Sequence, residues 1–271
     1  MTTLDSLPPL RESLADHGLL ANKSFGQHFL LDLNVTRKIA RLAGPLEGET
    51  VIEVGPGPGG LTRALVEAGA RVIAVEKDSR FLPLLGELAQ AADGRLTIVE
   101  GDALKVDEAQ LAGGPGHVVS NLPYNVGTPL LIKWLTGPWK PKSMTLMFQK
   151  EVADRIAAPA GAGAYGRLGV VSQALARAKV VMDLPARAFT PPPKVASAVV
   201  RLDPLETPPS APEIAALERV TAAAFGQRRK MLRSSLRSLG GVALCEKAGI
   251  DPNARAETVP VDGFLRLARA L

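Results

Sequence analysis

The segment Ser120-Asn121-Leu122-Pro123-Tyr124-Asn125 places an amide acceptor, a carbonyl before a proline and an aromatic face side by side. Those groups suit one difficult reaction, alkylation of the exocyclic amine of an adenine. Such a nitrogen is a poor nucleophile because its lone pair is delocalised into the ring. If the Asn121 side chain and the Leu122 carbonyl both accept its N–H bonds, the amine is held and a pyramidal geometry is favoured. Positioning and electrostatics then do most of the catalysis. Pro123 stiffens the turn, and Tyr124 offers a face on which an extruded base can stack. No general base is needed, since the alkylated nitrogen is acidic enough to lose its proton to water. The plainer alternative is a strand-ending turn with a packed tyrosine.

A second candidate lies upstream, where Val51-Ile52-Glu53-Val54 runs into Gly55-Pro56-Gly57-Pro58-Gly59-Gly60. Glycines after a strand let the backbone turn sharply and approach a ligand, and a following helix N-terminus faces that space. Gly55, Gly57 and Gly60 also satisfy the pattern of dinucleotide enzymes, and a tight structural turn is a further alternative. Glu53, inside the strand, places a carboxylate that would repel a pyrophosphate but suits a cofactor with a cationic methionine end, S-adenosylmethionine. Glu76 ends the next strand, where it can accept both ribose hydroxyls. Asp78 or Ser79 is left to cap the helix that follows. Asp102, in Glu100-Gly101-Asp102-Ala103, ends the third strand and can accept a bond from the cofactor's adenine amine.

These residues need a scaffold that brings strand ends together. Short apolar runs alternate with amphipathic stretches, the pattern of a parallel sheet with crossover helices. Strands are expected at 50–54, 71–76, 96–99, 117–120 and 143–148, with two later ones at 180–184 and 196–202. Helices are expected at 34–43, 60–68, 79–92, 128–135 and 150–157, with Pro83 tolerated near the start of the third. The proline-dense stretch 203–212 reads as a linker. Helical patterns follow at 214–225, 227–239, 242–248 and 263–270. The fold class is α/β, a Rossmann-like methyltransferase domain with a mostly parallel seven-stranded sheet and a small all-helical C-terminal domain. The boundary is placed near residue 205, giving domains 1–205 and 206–271, with residues 1–33 covering the cofactor.

Within 227–239, Arg229, Arg233 and Arg237 form one stripe at helical spacing, joined by Arg228 and Lys230, with Leu232, Leu236 and Leu239 opposite. No acidic residue lies between Phe225 and Gly241, which favours phosphate contact over a merely solvated face. The glycine-rich stretch 160–169 reads as a mobile loop whose Tyr165 and Arg167 touch RNA or anchor the loop.

Composition bounds the remaining choices. The chain has 271 residues, 46% hydrophobic and 22% charged, with a net charge of +5, a globular make-up with a mild basic surplus. A lone cysteine, Cys245, excludes an intramolecular disulfide and reads as a buried filler. His17, His28 and His117 share no metal-ligand spacing, so no metal is expected. No apolar run is long enough to span a membrane, and the N-terminus lacks a signal-peptide core, so a cytoplasmic monomer with no membrane partner is expected.

The ordered set of motifs resembles the ribosomal RNA adenine N6-dimethyltransferase family, in its small-subunit branch. It comprises residues 23–30 (Lys-Ser-Phe-Gly-Gln-His-Phe-Leu), Glu53–Gly59, Glu76, Gly101–Ala103, Asn121–Asn125, Phe189–Val195 and Phe225–Arg233. The resemblance implies S-adenosylmethionine as methyl donor and, as substrate, two adjacent adenosines in the 3′-terminal hairpin of 16S rRNA, within the small ribosomal subunit or its precursor. It implies that His28 and Leu30 fold over the cofactor. Gly55, Gly57, Glu76, Asp102 and Asn121 would hold it, and Phe189 would stack on the target base opposite Tyr124. His28 stands where many members carry Asn. Without the family, residues 23–30 read equally as a strap packing Phe25 and Phe29 into the core. Large-subunit rRNA or DNA as substrate, a nicotinamide dehydrogenase and a non-catalytic ribosome-assembly factor are the competing readings.

Overall fold

The computed structural model describes residues 4–19, 28–227 and 229–271. In chain order the helices are α1 (Leu10–Asp16), α2 (Leu33–Leu42), α3 (Gly60–Glu67), α4 (Leu82–Ala91), α5 (Glu108–Ala112), α6 (Gly127–Thr136), α7 (Lys150–Ala157), α8 (Arg167–Leu175), α9 (Ala211–Gly226), α10 (Leu232–Ser235), α11 (Gly241–Lys247) and α12 (Val261–Ala270). The strands are β1 (Phe29–Leu30), β2 (Thr50–Val54), β3 (Arg71–Glu76), β4 (Leu96–Glu100), β5 (His117–Asn121), β6 (Ser143–Gln149), β7 (Ala176–Leu184), β8 (Phe189–Thr190) and β9 (Ser197–Pro204).

Seven strands form one sheet in the order β4-β3-β2-β5-β6-β9-β7, and β1 pairs with β8 in a separate antiparallel ribbon. The ladders β4-β3, β3-β2, β2-β5 and β5-β6 are parallel. Strands covered on both faces must be apolar throughout, and Val51, Ile52, Val118, Val119, Met144 and Leu146 are indeed all buried. Parallel register brings the ends of β2, β3 and β5 to one edge. The strand order reverses between β2 and β3 on one side and β5 on the other, which opens a crevice there.

The chain forms two compact units, Met1–Lys150 with Val181–Arg201, and Glu151–Val180 with Leu202–Leu271. The single boundary expected near residue 205 is therefore replaced by three crossings. The physical reason is the second unit's core, in which Tyr165, Val170 and Ala174 pack with Leu217, Val220, Leu244, Cys245 and Phe264. Tyr165 is fully buried and its hydroxyl donates to Val259 O at 2.9 Å, so it is an anchor. Arg167 opens α8. Cys245 is buried, and burial pushes its thiol pKa up.

A continuous helix over 227–239 does not form. Helix α9 ends at Gly226, and Gln227 leaves helical geometry with φ −128° and ψ 63°. Met231 is extended and bridges Arg255, while Leu232 N and Arg233 N donate to Ala254 O and Pro252 O. Ser234, Ser235 and Ser238 are weak helix formers, so a tertiary partner outcompetes the helical ladder. The seam survives the change: Leu232 and Leu236 are buried, and Leu239 packs against the same core. Among the described residues no helix is long and apolar enough to cross a membrane.

Candidate active site at the carboxyl edge of the sheet

A cavity of about 960 Å³ opens at this edge. Its wall includes the glycine loop, Glu53, Glu76, the turn Lys77–Phe81, the run Asn121–Asn125, and His28, Phe29 and Leu30. The sequence-expected residues His28, Leu30, Gly55, Gly57, Glu76, Asn121, Leu122, Pro123 and Tyr124 thus share one surface.

The two motifs touch. Gly55 has φ +66°, which favours glycine, and a Cβ there would lie 3.3 Å from Pro123 Cγ, so the glycine loop and the Asn121–Tyr124 turn pack closely. At Gly60 a Cβ would lie 2.6 Å from Leu30 O, so the start of α3 closes against β1 through the missing side chain.

Glu76 braces the loop. Its Oε2 accepts from Gly57 N at 3.0 Å and its Oε1 from Asp78 N at 2.8 Å. Burial raises its pKa above the ordinary carboxylate value, with those two N–H groups pulling the other way. The Lys77 N–H acts in the same direction, and three donors on a carboxylate with about four acceptor sites leave room for a ligand. Capping falls to Asp78, whose Oδ1 accepts from Arg80 N at 3.2 Å and Arg80 Nε at 2.8 Å.

Glu53 departs from expectation. It is 1% exposed, Thr62 Oγ1 donates to its Oε2 at 2.6 Å, and burial pushes its pKa up to about 8. The Thr62 hydrogen bond opposes that shift and the nearby Glu76 charge adds to it. Near pH 7 the group is a neutral acid, so it carries no standing charge to deter a pyrophosphate.

Asn121 ends β5 opposite Met147, and its side chain has no hydrogen-bond partner among the described residues. Pro123 O accepts from Val126 N and Gly127 N at 3.1 Å each, which ties the turn to the start of α6. The Tyr124 hydroxyl lies 2.8 Å from the buried Ser197 Oγ, and burial raises the phenol's pKa, so it remains protonated. The His28 ring centroid lies 6.1 Å from that of Tyr124. His28 Nδ1 donates to Pro191 O at 2.8 Å, since a carbonyl can only accept.

Two expected residues lie elsewhere. Asp102 is outside the wall; it pairs with Lys77 Nζ at 3.0 Å and accepts from Leu104 N at 3.0 Å. The hydrogen bond from Lys77 holds its pKa below the ordinary value. Phe189 is 2% exposed and sits in the core with Leu30 and Leu184, because β8 pairs with β1 and turns the ring inward. It is not among the residues that line the cavity. Sequence reasoning missed the Lys77–Phe81 wall, Thr62 and Ser197. The last two are reached only through contacts 9 and 73 residues apart in the chain. Residues 23–27 of the N-terminal motif lie outside the described residues.

In the second unit Arg229, Lys230, Arg233 and Arg237 are exposed, without an ion-pair partner among the described residues. Arg228 lies outside the described residues.

Comparison with known proteins gives this geometry its context. A protein from Caulobacter vibrioides described as ribosomal RNA small subunit methyltransferase A is 75% identical, over 93% of this chain and 97% of its own. A Sinorhizobium medicae protein of the same description is 60% identical over the whole of both chains. Among solved structures, a dimethyladenosine transferase from Plasmodium falciparum superposes with a TM-score of 0.73 at 25% identity, covering 89% of this chain and 96% of its own. The 23S rRNA methyltransferase ErmE gives 0.70 at 27% identity, covering 90% and 99%. The family model described as ribosomal RNA adenine dimethylase matches residues 18–271, and the chain belongs to that family.

Proposed function

We propose that this chain transfers methyl groups from S-adenosylmethionine to the N6 atoms of two adjacent adenosines in the 3′-terminal hairpin of small-subunit rRNA. The observation that carries the reading is one cavity bearing both the Glu76-braced glycine loop and the Asn121 amide, which has no partner among the described residues.

The residues fit the donor. Gly55 and Gly57 leave a loop that no Cβ fills, and Glu76, held by backbone N–H groups, keeps acceptor capacity for a ribose hydroxyl. A buried Glu53 can ionise when a cationic group binds beside it. When bound, S-adenosylmethionine supplies an electrophilic methyl group on a sulfonium centre. The chain's own residues do the rest. The Asn121 side chain and the Leu122 carbonyl accept the two N–H bonds of the target amine and hold its lone pair toward the methyl group. Tyr124, steadied by Ser197, supports the base ring. His28 and Leu30 cover the cofactor. Asp102 joins the adenine subsite if Lys77 releases it, and Phe189 supports the base pocket through Leu30 rather than by direct stacking.

Arg229, Lys230, Arg233 and Arg237, with Arg228, bind rRNA phosphates, and the second unit, Glu151–Val180 with Leu202–Leu271, carries that role. The reading includes a monomer acting in the cytoplasm on the small subunit or its precursor.

The test uses methyl-labelled S-adenosylmethionine and small subunits lacking native adenine methylation, with the labelled nucleoside identified by mass. N6,N6-dimethyladenosine confined to small-subunit RNA is expected. Label on large-subunit RNA overturns the substrate, and tight subunit binding without transfer favours an assembly factor instead.

A further inference from the structure

We infer that α1 is a positioning element for the cofactor cavity, propping the aromatic wall made by Phe29 and Phe81 and so setting affinity for the methyl donor. The inference rests on the reading of that cavity as the donor site.

The family match begins at residue 18, so α1 lies ahead of the part that the family model describes. Helix α1 is nonetheless packed as core: Leu10, Ser13 and Leu14 are each no more than 3% exposed. Leu14 shares a cluster with Phe29, Phe81, Leu84 and Leu85. Phe29 and Phe81 meet edge to face with centroids 5.6 Å apart, and both line the cavity, whereas no residue of α1 does. The helix thus stands behind the wall, one layer from the ligand space.

Its other contacts reach the glycine loop's helix. Leu10 Cδ1 lies 3.0 Å from where a Cβ on Gly60 would be, and the buried Arg63 of α3 donates Nη1 to Pro8 O at 2.9 Å. His17 Nε2 lies 3.0 Å from Glu87 Oε1 on α4. The segment therefore contacts both α3 and α4, the helices that precede and follow β3 in the chain.

Phe29 needs that support. It sits in a two-residue strand, and its ring lies 3.3 Å from where a Gly57 Cβ would be, in contact with the loop that Glu76 braces. Truncating Leu14 opens a void behind both rings, into which they can fall back. The wall then has to be ordered by the ligand itself, which weakens binding. Asn121 and Tyr124 stand on β5 and its turn, outside this cluster, so the chemical step is spared.

The experiment titrates S-adenosylmethionine calorimetrically into the full chain, a chain lacking residues 1–17, Leu14→Ala and Leu14→Met, with rRNA affinity and steady-state transfer measured alongside. Donor affinity is expected to fall about tenfold in the truncated chain, or about 1.4 kcal/mol. Leu14→Ala should lose several-fold and Leu14→Met should stay near the parent. The KM for the donor should rise in step while kcat stays within about twofold and rRNA affinity holds. If the truncated chain does not fold, the Leu14 pair decides. A folded Leu14→Ala with unchanged donor affinity overturns the inference, as does a parallel loss of rRNA affinity. A full chain that takes up no donor overturns the reading of the cavity, and the inference with it.

Discussion

The two edges of the same sheet handle polar groups in opposite ways. At the amino edge Glu49, His117, Lys142 and Ser143 satisfy one another: Lys142 Nζ lies 2.6 Å from Glu49 Oε2, and His117 Nδ1 lies 2.7 Å from Ser143 Oγ. The Lys142 hydrogen bond holds Glu49 below its ordinary pKa, and burial lowers that of His117. At the carboxyl edge, among the described residues, Glu53 is buried with a hydroxyl and no cation, Glu76 is buried on backbone N–H groups alone, and Asn121 has no side-chain partner. A self-satisfied edge has nothing to offer a ligand. An edge whose acceptors are underused, around a cavity, is organised for a cationic donor and an amine, and that organisation costs stability.

Four changes break or sharpen this contrast. The largest effect belongs to Glu53. Because its pKa is raised in the folded chain, the stability it confers is complete below its unfolded value of 4.5. It is lost as pH rises through about 8. A displacement from 4.5 to about 8 corresponds to roughly 5 kcal/mol. Glu53→Gln should flatten denaturation midpoints across that window, and a pH dependence equal to the parent's would sink the claim. Next, Asn121→Ala should cut single-turnover transfer by ~10²–10³-fold while thermal stability holds. Third, Arg233→Ala or Arg237→Ala should weaken rRNA binding several-fold and reduce the salt slope by about one each. An unchanged slope would separate those residues from RNA. Smallest is Glu49→Gln, which loses a partly exposed ion pair. Transfer and donor affinity should not move, and the melting temperature only slightly.

Much of the carboxyl edge was legible because strand-ending motifs carry their own punctuation. β2, β3 and α7 fall where apolar runs and amphipathic spacing put them, and Gly55, Glu76 and Asn121 meet as strand order requires. What stayed hidden depends on tertiary contact. Glu53 reads as a charge until burial is known. Ser197 has no signal, since its partner Tyr124 lies in a distant turn. The arginine stripe looked helical because Leu232 and Leu236 keep helical spacing, but Met231 found a backbone partner in Arg255. The extra crossings between units follow from the burial of Tyr165, which a glycine-rich neighbourhood disguises.

The central claim is that donor binding and amine capture occupy separate walls of one cavity. Calorimetric titration of S-adenosylmethionine into the parent, Glu76→Ala and Asn121→Ala tests it most directly. The account predicts one saturable site in the parent and a loss of ~10–100-fold in Glu76→Ala, as removing a charged acceptor demands. It predicts a much smaller loss in Asn121→Ala, whose amide also borders the donor but chiefly grips the target amine. Equal losses in both variants, or no effect of Glu76→Ala, would contradict it.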